Sequence, residues 1–304
     1  MSTTASHDDV FTEHRALLFT VAYEMLGSAA DAEDVVQDSW LRWSQVDRDE
    51  VHDPRAYLVR VVTRQALNRL RTLRRRREEY VGPWLPEPVA TTPDVAEDVE
   101  LADSVSFAML VVLETLSPLE RAVFVLREVF GFEYAEIAAA TERTPDAVRQ
   151  LASRARRHVE ERRPRTADVT AGDHDAVSER FFTAVTTGDV QGLMDVLAPD
   201  VVLITDGGGF KKAALRPIHG ADKVFRFLTA LLGDPDLALE AEILDVNGAT
   251  GALGLVAGEL DVALSLRTEG GRITELYVVR NPEKLARIRT STRLTRELPA
   301  PPVR

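Results

Sequence analysis

Apolar side chains recur at helical spacing from about residue 9 to residue 80, which predicts a first domain built of helices alone. One helix ends near Gly27, and a second begins near Asp31. The second helix directs Val35, Val36 and Leu41 towards a core. Its outward side is acidic and polar, with Asp34, Gln37 and Asp38.

A third helix is predicted from residue 54 to residue 77, because Asp53 can cap it and Pro54 suits its first position. At about 100° per residue, its apolar residues share one face. They include Leu58, Val62, Ala66 and Leu70. Arginines line another face, with Arg60, Arg64 and Arg71 in one stripe and Arg69 alone on the apolar side. Such a helix would bury one face and present the other to a polyanion.

Residues 81–104 contain four prolines and many acids, which predicts an extended linker after the first domain (9–80). Trp84 and Leu85 stand within this linker. A flexible spacer gains nothing from an exposed indole, so we expect both side chains to dock on a neighbouring domain.

The segment 105–163 returns to helical patterning and resembles a helix-turn-helix. Ser117, Pro118 and Glu120 form a capping box with proline at the first helical position, and Thr144-Pro145 opens a later helix. That later helix is polar and basic at positions suited to a major groove: Thr144, Arg149, Gln150, Ser153, Arg154, Arg156 and Arg157. An ordinary helical hairpin with an arginine-rich surface is the alternative interpretation.

From 173 to 288 the pattern changes to two helices followed by strands. The helices are predicted at 176–186 and 190–197, and the strands at 201–206, 237–246, 251–257, 262–268 and 273–279. Asn247-Gly248 and Gly270-Gly271 are hairpin turn signals. Together they predict an α+β domain whose curved antiparallel sheet folds around a helix and can enclose a cavity. A tail follows at 289–304, and its end at 298–304 is predicted to be disordered.

Composition limits the function classes. The 304 residues, 45% of them apolar, suit two or three globular domains. Without cysteine, and with six histidines that lack metal-ligand spacing, no metal site or cofactor is expected. No signal peptide or membrane-spanning run is evident, so a cytoplasmic protein without a membrane partner is expected.

The net charge of −12 indicates weak binding to free DNA, although basic residues cluster at 60–77 and 149–165. A partner that delivers the protein to DNA would resolve this conflict, and ordinary solvated charge explains the negative sum equally well.

Three further strings carry a family resemblance: Trp84-Leu85-Pro86-Glu87-Pro88, Asp206-Gly207-Gly208-Gly209 and Asn281-Pro282-Glu283-Lys284-Leu285. With the helices at 31–43, 54–77 and 148–156, they make the chain similar to extracytoplasmic-function (ECF) sigma-70 factors. The similarity is to the SigJ-like subgroup, which carries a fused C-terminal SnoaL-like domain. This resemblance implies two all-α sigma domains and an NTF2-like α+β domain. It implies a promoter-specificity subunit of RNA polymerase, modulated by its own C-terminal domain in place of a separate anti-sigma protein.

The resemblance also implies residue roles and partners, namely core polymerase (clamp and flap) and promoter DNA. Polymerase contacts would be Asp34, Gln37 and Asp38. Contacts to the minus-10 element would be Arg60, Arg64, Asn68 and Arg71. At the minus-35 element, Arg149, Gln150 and Arg154 would read bases, and Thr144, Ser153, Arg156 and Arg157 would hold phosphates. Regulatory contacts would be Trp84, Leu85, Asp206, Gly207, Gly208, Gly209, Asn281, Pro282 and Lys284.

Two other functions remain open at this point. The C-terminal domain could be an isomerase or cyclase, with Asp206, His219 and Asp261 as its ionisable candidates. The chain could instead be a helix-turn-helix repressor that binds its operator alone, although the acidic charge and the lack of an evident dimerisation helix argue against it. The C-terminal domain also leaves room for a small-molecule ligand.

Overall fold

A computed structural model describes residues 7–47, 51–162, 171–232 and 239–296. The chain divides into two compact units. The first unit comprises residues 1–76, 112–163 and 293–304, and the second comprises residues 77–111 and 164–292. The segment that follows the first predicted domain therefore packs with the C-terminal domain in one unit.

Helices dominate the chain up to residue 162. They are α1 (His7–Leu26), α2 (Ala29–Trp43), α3 (Pro54–Glu78), α4 (Pro93–Glu97), α5 (Val99–Val105), α6 (Phe107–Leu113), α7 (Pro118–Phe124), which continues into a π-helical turn (Val125–Val129), α8 (Tyr134–Thr141) and α9 (Pro145–Arg162).

The helix starts follow the capping residues. Ser28 Oγ accepts a hydrogen bond from Asp31 N at 3.1 Å, and Asp53 Oδ1 accepts one from Ala56 N at 2.9 Å. Ser117 and Glu120 form the reciprocal capping box at the start of α7. These bonds satisfy backbone N–H groups that a helix leaves unpaired at its first turn.

In the second unit, three more helices and a six-stranded sheet follow, with a short fourth helix at the end. These elements are α10 (Ala171–Thr187), α11 (Val190–Val196), β1 (Leu197–Asp206), β2 (Ile218–His219), α12 (Ala221–Leu232), β3 (Leu239–Val246), β4 (Ala249–Val256), β5 (Glu259–Glu269), β6 (Arg272–Val279) and α13 (Pro282–Leu285). The strand order is β2-β1-β6-β5-β4-β3.

The sheet is mixed, which corrects the expectation of a wholly antiparallel one. β1 pairs with β6 in parallel, and the other neighbouring strands are antiparallel. The turn signals at Asn247-Gly248 and Gly270-Gly271 specify only the β3–β4 and β5–β6 hairpins, so they carry no information about where β1 pairs. Strand β2 and helix α12 were also missed. The predicted strand start at 237 and the tail at 298–304 lie outside the described residues.

Both faces of this sheet are covered. Leu276 and Val278 of β6 belong to an apolar cluster with α10, α11 and α12, which includes Phe181 and Val224. The alternating residues Tyr277 and Val279 belong to a second cluster, whose other members include Leu85, Ala90, Phe107 and Leu285. Because successive strand residues point to opposite faces, the linker and α6 cover the face that the helices α10–α12 leave open.

The predicted linker is extended only in its first half. Residues 93–97 and 99–105 form α4 and α5, which corrects the expectation of an extended chain to residue 104. Pro93 stands at the first position of α4, where the missing N–H costs nothing. A proline there starts a helix, whereas the sequence interpretation took every proline of the segment as a helix breaker.

Asn247 fastens the extended half to the sheet. It is fully buried in the β3–β4 turn with φ of 55°. Its Oδ1 accepts a hydrogen bond from Val89 N at 3.1 Å, and its Nδ2 donates to Val105 O at 2.9 Å. Asparagine suits this site because it tolerates a left-handed backbone and also provides a donor and an acceptor.

We predict that Asn247→Gly destabilises the second unit by about 1–3 kcal/mol, because it keeps the turn geometry and leaves the buried Val89 N and Val105 O without these bonds. Urea unfolding followed by circular dichroism measures the change. Gly270→Asn makes the reverse exchange at an exposed turn with φ of 53° and open space around the α-carbon. That control should change stability by less than about 0.5 kcal/mol. Equal effects of both substitutions would contradict the role assigned to Asn247.

Candidate functional site

The arginine stripe of α3 lies in the first unit and is partly engaged by that unit's own groups. Arg64 Nη2 donates to Ala139 O at 3.0 Å and pairs with Glu142 at 3.3 Å. Ala139 is near the end of α8, where helix carbonyls carry partial negative charge. The predicted minus-10 role of Arg64 would require a phosphate to replace these contacts.

The other minus-10 candidates also lie along α3. Arg71 donates to Asn68 Oδ1 at 2.9 Å, and the Arg60 guanidinium lies 5.3 Å from the Tyr57 ring centroid. Asn68 and Arg71 are exposed, and Arg60 is half-buried. The predicted stripe is thus present as one face, with Arg64 its most constrained member.

Arg69, which the sequence places on the apolar side of α3, turns towards α2. Its Nε donates to Asp31 Oδ1 at 2.6 Å, and its Nη2 lies 3.4 Å from Asp34 Oδ2. Asp34, a predicted polymerase contact, remains exposed. Asp38 is exposed as well, and Gln37 lines a groove of about 330 Å³ with Phe11 and Trp40. The three candidates lie on the outer side of α2.

Helix α9 carries the minus-35 candidates on its exposed side. Thr144 caps the helix by accepting from Ala147 N at 3.3 Å, while Gln150, Ser153 and Arg157 are exposed. The remaining arginines pair with acids of the same unit: Arg149 with Asp146, Arg154 with Glu120 at 3.5 Å and Arg156 with Glu128 at 2.8 Å. Exposed ion pairs of this kind contribute at most about 1 kcal/mol, so phosphates can replace them at little cost.

The regulatory candidates meet in the second unit around Asp206, at the end of β1. This carboxylate is fully buried. It accepts hydrogen bonds from Lys284 Nζ at 2.7 Å, Tyr80 Oη at 2.6 Å, Leu85 N at 2.9 Å and Gly208 N at 3.0 Å. We call Asp206, Lys284, Tyr80, Trp84 and Leu85 the linker clasp, since Trp84 and Leu85 belong to the linker and Tyr80 directly precedes it.

Lys284 is the cation of the clasp and is only 4% exposed. Besides Asp206, its ammonium contacts Leu85 O and lies 3.3 Å from the Trp84 ring centroid and 4.8 Å from that of Tyr80. Burial lowers the pKa of Lys284 to about 8, and the charge of Asp206 limits the fall. Lys284 therefore remains mostly charged near neutrality. Its ammonium is stabilised by the Asp206 carboxylate, the Leu85 carbonyl and the rings of Trp84 and Tyr80.

The glycine triplet permits the close approach of two loops. Gly208 has φ of 60°, and a Cβ there would lie 2.6 Å from Asn281 Cγ. A Cβ on Gly207 would collide with Lys211 O and lie 2.9 Å from Ala213 Cβ. Gly209 has φ of 78° and faces Val81. The triplet thus forms a tight turn that lies against Asn281 and Val81.

Asn281 connects the 281–285 string to the clasp. Its Nδ2 donates to Tyr80 Oη at 2.7 Å, and its Oδ1 accepts from Glu283 N at 3.0 Å as the cap of α13. Pro282 occupies the first position of α13 and so orients Lys284 through that helix.

Sequence reasoning missed Tyr80, which touches both Asp206 and Asn281. Burial and the hydrogen bond to Asp206 raise the pKa of Tyr80, so it stays a donor. Its position between a basic helix and a proline-rich linker was the available signal, because an aromatic residue in such a segment needs a packing partner.

The three ionisable candidates for catalysis lie in different surroundings and have different partners. Asp206 is enclosed in the clasp, and His219 is exposed on β2. Asp261 pairs with Lys211 at 2.8 Å and with Arg280. Burial alone would raise the pKa of Asp261, but hydrogen bonds from Lys211 and Arg280 lower it. Each carboxylate thus serves an ion pair.

Comparison with known proteins identifies the family. A model of Sigma-70 region 2 matches residues 10–76, one of Sigma-70 region 4 matches residues 106–159, and one of the SnoaL-like domain matches residues 178–281. The chain is 38% identical over 286 residues to the ECF RNA polymerase sigma factor SigJ of Mycobacterium tuberculosis. The alignment covers 90% of this chain and 91% of that protein. This chain belongs to the ECF sigma factors.

Other comparisons agree with this assignment. The probable ECF RNA polymerase sigma factor SigI of the same species is 33% identical, over 94% of this chain and 98% of its own. The crystal structure of Mycobacterium tuberculosis SigJ matches this sigma factor with a TM-score of 0.72 and 34% identity, covering 92% of this chain and 98% of that one. The expected fold class is thereby confirmed, and a helix-turn-helix repressor is set aside. No helix in the described ranges has the length and apolarity needed to cross a bilayer.

We predict that Gly208→Ala destabilises the second unit more than Gly258→Ala does. Both glycines have positive φ, 60° and 80°, but a Cβ at Gly258 meets open space. The backbone strain should cost about 1 kcal/mol in each variant. The collision with Asn281 should add about 1–3 kcal/mol in Gly208→Ala. Urea denaturation of the two variants measures the difference, and equal midpoints would refute the close approach of the two motifs.

Proposed function

We propose that the C-terminal SnoaL-like domain regulates this sigma factor by holding the linker between regions 2 and 4. The observation that supports it is Lys284, whose buried ammonium contacts Asp206 of its own domain and Trp84 and Leu85 of the linker. The linker joins the module for the minus-10 element to the module for the minus-35 element, so its freedom limits how the two can be arranged on a promoter.

The clasp has the properties of a two-state element. Release of Tyr80 and the linker takes two donors from Asp206, and it takes the Leu85 carbonyl and two aromatic rings from Lys284, while the ion pair itself stays within the domain. Each buried polar group left without a partner costs about 1–3 kcal/mol. Held and released linkers are therefore distinct states and not a continuum. A partner shifts the balance only if it binds one state more tightly than the other.

The same proposal assigns the remaining roles. Asp34, Gln37 and Asp38 contact the clamp of core polymerase, and the helix-turn-helix module contacts its flap. Arg60, Arg64, Asn68 and Arg71 hold the minus-10 strand. Arg149, Gln150 and Arg154 read the minus-35 bases, whereas Thr144, Ser153, Arg156 and Arg157 hold phosphates. The fused domain acts in place of a separate anti-sigma protein and has no catalytic role.

Within the first unit, regions 2 and 4 contact each other in a way that would oppose promoter binding. Arg121 of α7 is 2% exposed and donates to Glu24 O of α1 at 2.8 Å and to Glu114 at 2.6 Å. The Arg64 contact with α8 joins the same two regions. Separation of the two modules on DNA would break these contacts. Because the linker joins the two modules, holding or releasing it controls that separation.

Run-off transcription with core polymerase tests the regulatory proposal. Lys284→Met keeps the length of the side chain and removes its charge, so Asp206 loses its counter-ion and the linker is released. The expected result is a change of threefold or more in promoter-dependent transcript per bound holoenzyme, the fold-change that corresponds to about 0.7 kcal/mol. Tyr80→Phe, which removes one hydroxyl, should change the yield in the same direction by less.

The matched control is Lys223→Met, which removes an exposed lysine from α12 of the same domain. It should leave the yield unchanged. Unaltered transcription by both clasp variants, measured with folded protein, would refute regulation through the linker. It would leave the sigma-factor function untouched, because wild-type transcript still depends on the added chain.

Base reading and phosphate binding on α9 give a separate prediction. Gln150→Ala should weaken holoenzyme binding by about 1–3 kcal/mol at promoters with the preferred base and relax selectivity at one minus-35 position. Arg157→Ala should weaken binding to all promoters alike and reduce the salt dependence by about one unit of slope. Binding to a randomised minus-35 library distinguishes the two. Uniform weakening by Gln150→Ala would remove that residue from the base-reading set.

A further inference from the structure

The loop after the glycine triplet exposes apolar and basic side chains together. Phe210 is 60% exposed and Leu215 is 68% exposed, and Val81 of the linker lies beside Gly209. Leu215 in turn lies next to Gly82. We call residues 207–217 with Val81 the basic apolar loop. Among the residues that the structure describes, six large apolar side chains are exposed, and three of them cluster here.

The loop is held firmly from below. Thr205 Oγ1 accepts from Ala214 N at 2.7 Å and donates to Ala214 O at 3.2 Å, and Arg280 Nη1 donates to Lys212 O at 3.0 Å. Gly207 O accepts from Phe210 N at 2.9 Å. Thr205 and Arg280 are themselves buried. An aromatic side chain on a fixed turn loses little entropy when a ligand stacks on it, so the loop is preorganised for contact.

Its charge is opposite to that of the chain. Residues 207–217 contain Lys211, Lys212 and Arg216 and no acid, whereas the whole chain carries −12. Lys211 pairs with Asp261. Lys212 and Arg216 are exposed and take part in none of the ion pairs of the described residues. Two exposed cations thus share one loop with an exposed ring, the combination that binds a nucleic-acid backbone together with an unstacked base.

We propose that the basic apolar loop binds single-stranded DNA of the melted promoter. Phe210 stacks on a base, and Lys212 and Arg216 contact phosphates on either side. A duplex would satisfy the cations but keep its bases away from the ring, so the exposed phenylalanine favours a single strand. The C-terminal domain is then a DNA contact of the open complex. This inference rests on the sigma-factor function and does not require the linker clasp to be regulatory.

Site-specific photocrosslinking in the complete complex tests the assignment. The full chain carries p-benzoylphenylalanine in place of Phe210, and it is assembled with core polymerase on a labelled promoter. An adduct to a strand of the melted region is expected. An adduct only to duplex DNA, to a polymerase subunit or to a second copy of this chain would overturn the proposal. The same amino acid in place of Ile243, which is 54% exposed on β3, is the control and should give no DNA adduct.

Binding of the holoenzyme to a promoter with a preformed bubble gives the magnitude. Phe210→Ala should weaken it about fivefold or more, the lower end of base–aromatic stacking. The double variant Lys212→Gln, Arg216→Gln should reduce the slope of log affinity against log salt concentration by about 1.4, because each contact with a single-strand phosphate contributes about 0.7. Lys223→Gln with Arg226→Gln removes two exposed cations from α12 and should change neither quantity. Equal losses in the loop and control variants would overturn the proposal.

Discussion

The buried ion pair between Lys284 and Asp206 is the interaction on which the second unit depends. Both charges lie out of contact with water, with side-chain exposures of 3% and 0%, and such a pair is stable only when further groups satisfy each partner. Those groups come largely from the linker and from Tyr80 just before it: Tyr80 and Leu85 donate to the carboxylate, and Trp84 covers the ammonium. The buried ion pair therefore has these partners only with the linker in place.

Local sequence signals predict this molecule where a single residue determines the backbone. Asp53, Ser117 and Thr144 mark helix starts because a side-chain oxygen there meets an unpaired N–H. The strings at 206–209 and 281–285 were recognised through the family resemblance, and locally they mark a turn with positive φ at Gly208 and Gly209 and the cap of α13 at Asn281. The parallel pairing of β1 with β6, by contrast, links residues that are more than seventy positions apart. Neither strand contains a local sequence signal for the other, so this pairing is determined only by the packing of the whole sheet. Helix α12 could have been predicted, because Val224 and Leu228 recur at helical spacing and are buried. The aromatic character of Tyr80 indicated a packing partner, but its bonds to Asp206 and Asn281 join residues more than 120 positions apart and carry no local signal.

The ion pairs of the arginines in regions 2 and 4 bear on how a chain with net negative charge would bind DNA. Arg64, Arg154 and Arg156 are paired with Glu142, Glu120 and Glu128, so the acids that make the net charge negative screen the very side chains that would meet phosphates. Each pair is weak in water and is exchanged readily when a phosphate is brought close. On the proposed roles of these arginines, we expect weak bulk attraction to DNA and local binding where a phosphate displaces the paired acid. This favours recognition only when polymerase positions the promoter, and it disfavours independent binding to arbitrary sequence.

The glycine turn places two different surfaces within a few residues of each other. Asp206 O accepts from Arg280 N and Asn281 N, and Gly207 O accepts from Phe210 N and Lys211 N, so the clasp and the basic apolar loop share one backbone turn. Proximity alone does not couple them. Linkage requires that a ligand on the loop bind more tightly in one state of the clasp, and the same factor must then appear in the effect of the clasp on the ligand. The turn meets the structural condition for such coupling, because Gly207 and Gly208 have no room for a Cβ and cannot shift without moving Asn281 or Lys211. A rigid connection of this kind transmits a displacement that a flexible loop would absorb.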